Sequence, residues 1–291
     1  MSEENDQDPG AEVVRRLRAA CEDAVGAIHR ERDPLTAARL SHQLHEAYLE
    51  FSGPFATLRR RKVSAARAAE VSLEEMAAAL NISKGRISQL APSPPKHRAF
   101  FGNGPVHIGY PVRQGSADRE RPVVAREDSS TVDVLSALMA KLDLDAERFQ
   151  IDPGRADLPG GDVVLVCGPK SAPVARKLLA RDPAMGMLED GGRWWIETSG
   201  SSTRYGSPSD DPDPRGSDIA YLARHVVDGR VIIHIAGIHS IGSLGAAHHL
   251  TDTLSALHKK AAKTQFSAIV RCTYDGIRVT GTDMLAGPFL W

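Results

Sequence analysis

The chain has 291 residues, 42% hydrophobic and 25% charged, with a formal net charge of −1. This balance excludes a disordered polyelectrolyte, and a length beyond the roughly 100–200 residues of one domain predicts two. No run reaches the ~20 apolar residues of a membrane span, the acidic start MSEENDQDPG is unlike a signal peptide, and Cys21, Cys167 and Cys272 are odd in number and far apart, so a cytoplasmic protein with reduced thiols and no membrane partner is expected.

Charge is unevenly spread. Residues 1–52 carry 6 basic and 11 acidic side chains, whereas residues 53–99 carry 9 basic and 3 acidic. Clustered Lys and Arg gain free energy chiefly by neutralising polyanions and releasing their counterions, which makes nucleic acid the first candidate partner.

Residues 1–11 are expected to be disordered. From Glu12 to about Arg32, Val13, Val14, Leu17, Cys21, Val25 and Ile28 recur at spacings of three and four, the stripe of an amphipathic helix. That stripe serves either as a dimerisation element or for packing within its own chain. Asp33-Pro34 restarts the chain into a second helix carrying Leu35, Ala38, Leu44, Tyr48 and Phe51, expected to end near Ser52-Gly53-Pro54. A third helix, Phe55 to about Val71, carries Arg59, Arg60, Arg61 and Lys62.

The next stretch, VSLEEMAAALNISKGRISQL, is more specific. Ser72 and Glu75 form a capping box. Met76, Leu80, Ile82, Ile87 and Leu90 occupy the apolar slots of a helix-turn-helix spanning 72–90; Ala77 is small enough for a close helix crossing, and Asn81 tolerates a left-handed turn. Ser83 is placed to cap the second helix, whose Lys84, Gly85, Arg86 and Gln89 point outward, where they reach base edges or phosphates of a major groove. Residues 55–91 resemble the helix-turn-helix of sigma-factor region four and related bacterial regulators, with ISKGRISQL carrying the resemblance. It implies binding of double-stranded DNA through Ser83–Leu90, with Lys84, Arg86 and Gln89 as contacts; the basic run Arg59, Arg60, Arg61 and Lys62 and the capping Ser83 are added as DNA-binding candidates of a helical domain, 12–91. No promoter-melting motif precedes it.

Residues 92–99, rich in proline, read as a stiff linker. Beyond it, short β-branched runs alternate with helical stretches through 100–291, predicting an α/β domain with a mainly parallel sheet flanked by helices. Ligands of such sheets sit beyond the carboxyl ends of strands. Two strand-loop-helix units draw attention there. The first, DVVLVCGPKSAPVARKLL, offers Gly168, Lys170 and Ser171 to an anion; the second, RVIIHIAGIHSIGSLGAAHHL, offers Gly237, His239, Ser240, Gly242, Ser243 and Gly245. Neither is a P-loop or a dinucleotide fingerprint. Gly200–Asp218 reads as a loop over this site, with Tyr205, Asp218 and Arg224 completing a pocket. A bound nucleotide effector is expected, and no required cofactor. His248 and His249 are adjacent on a helix and face about 100° apart, so no metal site is expected.

The α/β half resembles, in architecture and in these two loops, the Rossmann-like nucleotide-sensing domains that bacterial regulators append to DNA-binding modules. The expectation is a homodimeric transcription regulator controlled by a small anionic or nucleotide-like ligand. The alternative is a nucleotide- or nucleoside-processing hydrolase or transferase, with Asp182, Glu189 or Asp218 as acid, base or nucleophile and the helical domain as localiser; no catalytic constellation is recognisable.

Overall fold

The computed structural model describes residues 9–90, 97–115, 121–201, 203–261 and 264–291. The chain divides into two units, Met1–Arg60 and Arg61–Trp291. Residues 1–8 of the expected disordered start, residue 91 and 92–96 of the expected linker lie outside the described residues, whereas Pro9–Gly10 already open a helix.

In the first unit, α1 (Pro9–Arg30) is followed by α2, which begins at Pro34 and continues to Ala68 in the second unit. The predicted break at Ser52-Gly53-Pro54 is therefore absent, and the expected second and third helices are one. Proline inside a helix removes one N–H and strands the carbonyl four residues back. Here that carbonyl belongs to Glu50, an exposed residue. No described side chain from 11 to 60 is buried. Leu17, Leu35, Tyr48, Phe51, Phe55 and Leu58 are each more than half exposed, and Leu35 reaches 79%.

The second unit starts with the end of α2, then α3 (Leu73–Leu80) and α4 (Lys84–Leu90). Ser72 Oγ accepts from the Glu75 N–H at 3.1 Å, while Glu75 accepts from the Ser72 N–H at 2.9 Å, the reciprocal box that the spacing predicts. Asn81 turns the chain in the left-handed region, at φ 51° and ψ 46°. Val63, Met76 and Ile87 are buried together, with Leu73, Ala77 and Ile82 packed around them.

A 3-10 turn at Arg98–Phe101 then leads into the α/β part, with Arg98, Phe100 and Phe101 buried, so residues 98–99 belong to the fold rather than to a linker. The elements in order are β1 (Val106–Pro111), β2 (Arg113–Gly115), β3 (Arg121–Val123), α5 (Arg126–Lys141), β4 (Ala146–Ile151), β5 (Asp162–Val166) and α6 (Pro173–Leu179). There follow β6 (Met185–Asp190), β7 (Arg193–Thr198), β8 (Arg204–Gly206), β9 (Ser217–Val227), β10 (Arg230–Gly237), α7 (Ser240–Ala261), β11 (Phe266–Asp275) and β12 (Arg278–Leu290).

Seven strands form one sheet, in the order β12-β11-β9-β10-β5-β1-β4. The ladders from β4 to β10 are parallel, and those from β10 through β9 and β11 to β12 are antiparallel. The sheet is thus mixed, not mainly parallel. Tight turns explain the difference: Asp228 and Gly229, at φ 52° and 76°, close β9 onto β10 as a hairpin, and no crossover helix is needed. Alternation along the strands divides the core. Val164 and Val166 of β5 face α5 and α7, while Val163 and Leu165 face α6. A small sheet of β6, β7 and β8 packs Met185 and Ile196 onto Tyr221 of β9.

Candidate functional site

Because β1, β5 and β10 run parallel, their carboxyl ends at Pro111, Val166 and Gly237 open at one edge. A small cleft lies there. Of the residues predicted for a ligand site, Gly168, Lys170, Ser171, Gly237, His239, Ser240 and Ser243 line it. The sequence reading missed Arg113 and Asp128, which line it from the β1–α5 connection and the first turn of α5.

Asp128 is 2% exposed, and its Oδ2 is buried without a hydrogen-bond partner. The nearest charge is the Arg113 guanidinium at 3.9 Å, close enough for attraction and too far for a hydrogen bond. Burial pushes the carboxyl up to about 6; Arg113 and Lys170 pull against that shift, and Glu127 adds to it. One signal in the sequence could have found this residue: Asp128 lies on the stripe that continues through Val132, Leu135 and Met139, all buried. A carboxylate on a core-facing stripe is costly unless something compensates it.

Lys170 turns its ammonium inward to donate to the Ile238 carbonyl. Burial lowers its pKa, and Arg113 lowers it further, against Asp218, Asp210 and Asp128. His239 lies between two carboxylates, with Nδ1 3.2 Å from Asp218 and Nε2 3.1 Å from Asp210. Its pKa is raised, first by the hydrogen bond to Asp218. With an acceptor at each ring nitrogen, the imidazolium is the favoured form.

Asp218 itself is fully buried behind the cleft. Its Oδ2 accepts from the N–H groups of His239 at 3.0 Å and Gly242 at 2.9 Å, capping α7 from within the chain. These two amides are therefore occupied within the chain. Gly242 and Gly245 do not approach a ligand either: a Cβ on Gly242 would strike Asp218, and one on Gly245 would strike Cys272. Ser243 Oγ accepts from the Gly237 N–H at 2.9 Å and braces the turn.

Tyr205 and Arg224 stand outside the cleft. Tyr205 packs in the core under β6–β8, and Arg224 donates to the carbonyls of Phe100 at 3.0 Å and Thr264 at 2.7 Å. Asp182 has both oxygens engaged, one by the Ala184 and Met185 amides and the other by Tyr221 Oη. Glu189 is exposed on β6. Cys167 at the cleft floor is held protonated, its thiol pushed up to about 12 by burial. Among the described residues, no group of three His, Cys, Asp or Glu side chains is placed to hold a metal ion.

The second region of interest is α4. Ser83 Oγ accepts from the Arg86 N–H at 3.1 Å, starting the helix. Ile87 is buried, whereas Lys84, Arg86 and Gln89 are exposed, Arg86 and Gln89 on the same face and Lys84 at the helix start. Arg86 donates to Gln89 at 3.2 Å, and Lys84 pairs with Glu74 at 3.1 Å. In the basic run of α2, Arg59 and Arg60 are exposed, Arg61 pairs with Asp145, and Lys62 donates to the Gly104 carbonyl at 3.3 Å.

No described helix is long and apolar enough to cross a membrane. Compared with family models, curated proteins and solved structures, the chain matches none.

Proposed function

We propose that this chain is a bacterial, cytoplasmic transcription regulator that binds double-stranded DNA through a helix-turn-helix, α3–α4, and a small anionic or nucleotide-like effector in the cleft. The observation that carries the DNA reading is α4. The left-handed turn at Asn81 and the burial of Ile87 with Val63 and Met76 leave Arg86 and Gln89, three residues apart, together on one exposed face of α4, with the exposed Lys84 at the helix start. Such a face suits a major groove, where Arg reads guanine bidentately and Gln reads adenine.

Selection of bound duplexes from a random pool supplies a preferred sequence for the test. Arg86→Ala then weakens binding to that sequence by about 1–3 kcal/mol and relaxes preference at one position, whereas Lys62→Ala weakens every sequence alike and lowers the salt slope. Equal losses on preferred and random DNA for Arg86→Ala would remove Arg86 from readout.

The exposed apolar side chains of α1 and α2 favour a homodimer, since patches of this kind on a folded chain are normally covered. Two copies would read half-sites about one helical turn apart. Sedimentation equilibrium is expected to give a dimer at micromolar concentration, and a monomer both free and on DNA contradicts it. Effector control then needs only differential affinity: a ligand that prefers one of two arrangements shifts DNA binding by about 1–3 kcal/mol.

A further inference from the structure

Three groups converge on the cleft without completing one another's hydrogen bonds. Asp128 Oδ2 is buried and unpartnered, Arg113 stands 3.9 Å away, and Lys170 reaches in from the loop after β5. A wider groove of about 470 Å³, lined by Val112, Arg113, Pro153, Lys170 and Ser171, shares the same two cations. The cations favour an anion here, yet an ionised Asp128 would repel it. A protonated Asp128 removes the conflict, because its O–H becomes a third donor.

We propose that the cleft seats a phosphate or sulfate group, free or as a monoester, between Arg113, Lys170 and the carboxylic acid form of Asp128, so that binding takes up one proton from solvent. This deepens the effector reading and rests on it. The geometry supplies the seat; burial of Asp128, which already pushes it up to about 6, makes protonation cheap at neutral pH. The other groups facing Asp128 are Glu127 on its own helix and the Cys167 thiol beneath. The nearby His239 is bracketed by Asp210 and Asp218 and so adds little net positive charge.

The test is titration calorimetry on the full chain with sodium sulfate, which has no proton to exchange near neutrality, and with adenosine monophosphate. Running each in buffers of different ionisation heat at pH 7.5 counts the protons. The expected result for sulfate is close to one proton taken up, with affinity rising about tenfold per unit as pH falls from 8 to 7 and levelling off below about 6. Asp128→Asn, whose amide is a permanent donor, is expected to bind sulfate with no proton uptake and no slope, and at least as tightly as the parent at pH 7.5. His239→Gln keeps the uptake, which separates the two titrating groups. Sulfate binding without proton uptake, or loss of binding in Asp128→Asn, overturns this inference and leaves the effector reading standing. Failure of both probes to bind at any pH overturns both.

Discussion

Acidification from pH 7.5 to 5 is expected to cost this protein about 3 kcal/mol of stability, and two buried histidines account for the loss. His225 Nε2 lies 3.2 Å from Tyr221 Oη, whose own proton goes to Asp182, so His225 donates. His234 donates Nε2–H to the Cys167 carbonyl at 2.8 Å, and its Nδ1 is buried without a partner. Both rings are thus held neutral. Burial lowers His225 to about 4, with Arg181 contributing, and lowers His234 to about 3, with His225 contributing. Unfolded, each returns to about 6.5 and binds a proton that the folded state refuses. The stability is therefore complete above about pH 6.5 and is lost as pH falls through that value toward the folded pKa. Each ring contributes about 2 kcal/mol of loss by pH 5, and Asp128, whose raised pKa works in the opposite direction, returns about 1. Urea unfolding midpoints across this range measure the effect. The double variant His225→Gln, His234→Gln keeps a donor at each place and is expected to flatten the acid limb; variant and parent falling in parallel would assign the loss elsewhere.

Replacing Asp128 by asparagine is expected to stabilise the protein at pH 7.5 by about 2–3 kcal/mol. With a folded pKa of about 6 against an unfolded value of about 3.8, the carboxyl costs the folded state most when ionised. That cost is absent below about pH 4, grows as pH rises through the window, and is complete above about pH 6. Asparagine keeps the shape and removes the charge. The gain should therefore be large at pH 7.5 and near zero at pH 4, read as a shift in unfolding midpoint at each pH. Equal midpoints for both proteins at pH 7.5 would mean that the buried carboxylate is already compensated. A group that costs this much to keep marks a site where function and stability pull apart.

The α4 surface was legible because each slot of its motif has a local steric cause. Asn81 takes the left-handed turn and Ala77 lets the helices close, and both causes act within a few residues. The cleft was half legible. Strand-loop-helix patterns placed Lys170 and His239 at carboxyl ends of strands, but the partners Arg113 and Asp128 come from a segment some forty or more residues earlier in the chain. Only the parallel pairing of β1 with β5 joins them, and no local pattern encodes which strands pair. The antiparallel half went unread, although Asp228-Gly229 is a strong hairpin signal. Pro54 shows the opposite error: a strong local preference for ending a helix was overridden on a stretch whose residues are exposed.

The capping of α7 by Asp218 bears on how such a site can change over evolutionary time. Backbone amides at a helix start recognise an anion whatever side chains surround them, and of all point mutations only one to proline removes such an N–H. Here two of those amides, of His239 and Gly242, are taken by the chain's own carboxylate, so for the proposed anion selectivity would fall to Arg113, Asp128 and Lys170. Arg113 and Asp128 take no part in the hydrogen bonds by which Asp218 holds the turn, whereas Lys170 also donates to the Ile238 carbonyl within it. The architecture thus separates the part that must persist from the part that selection can retune, one substitution at a time.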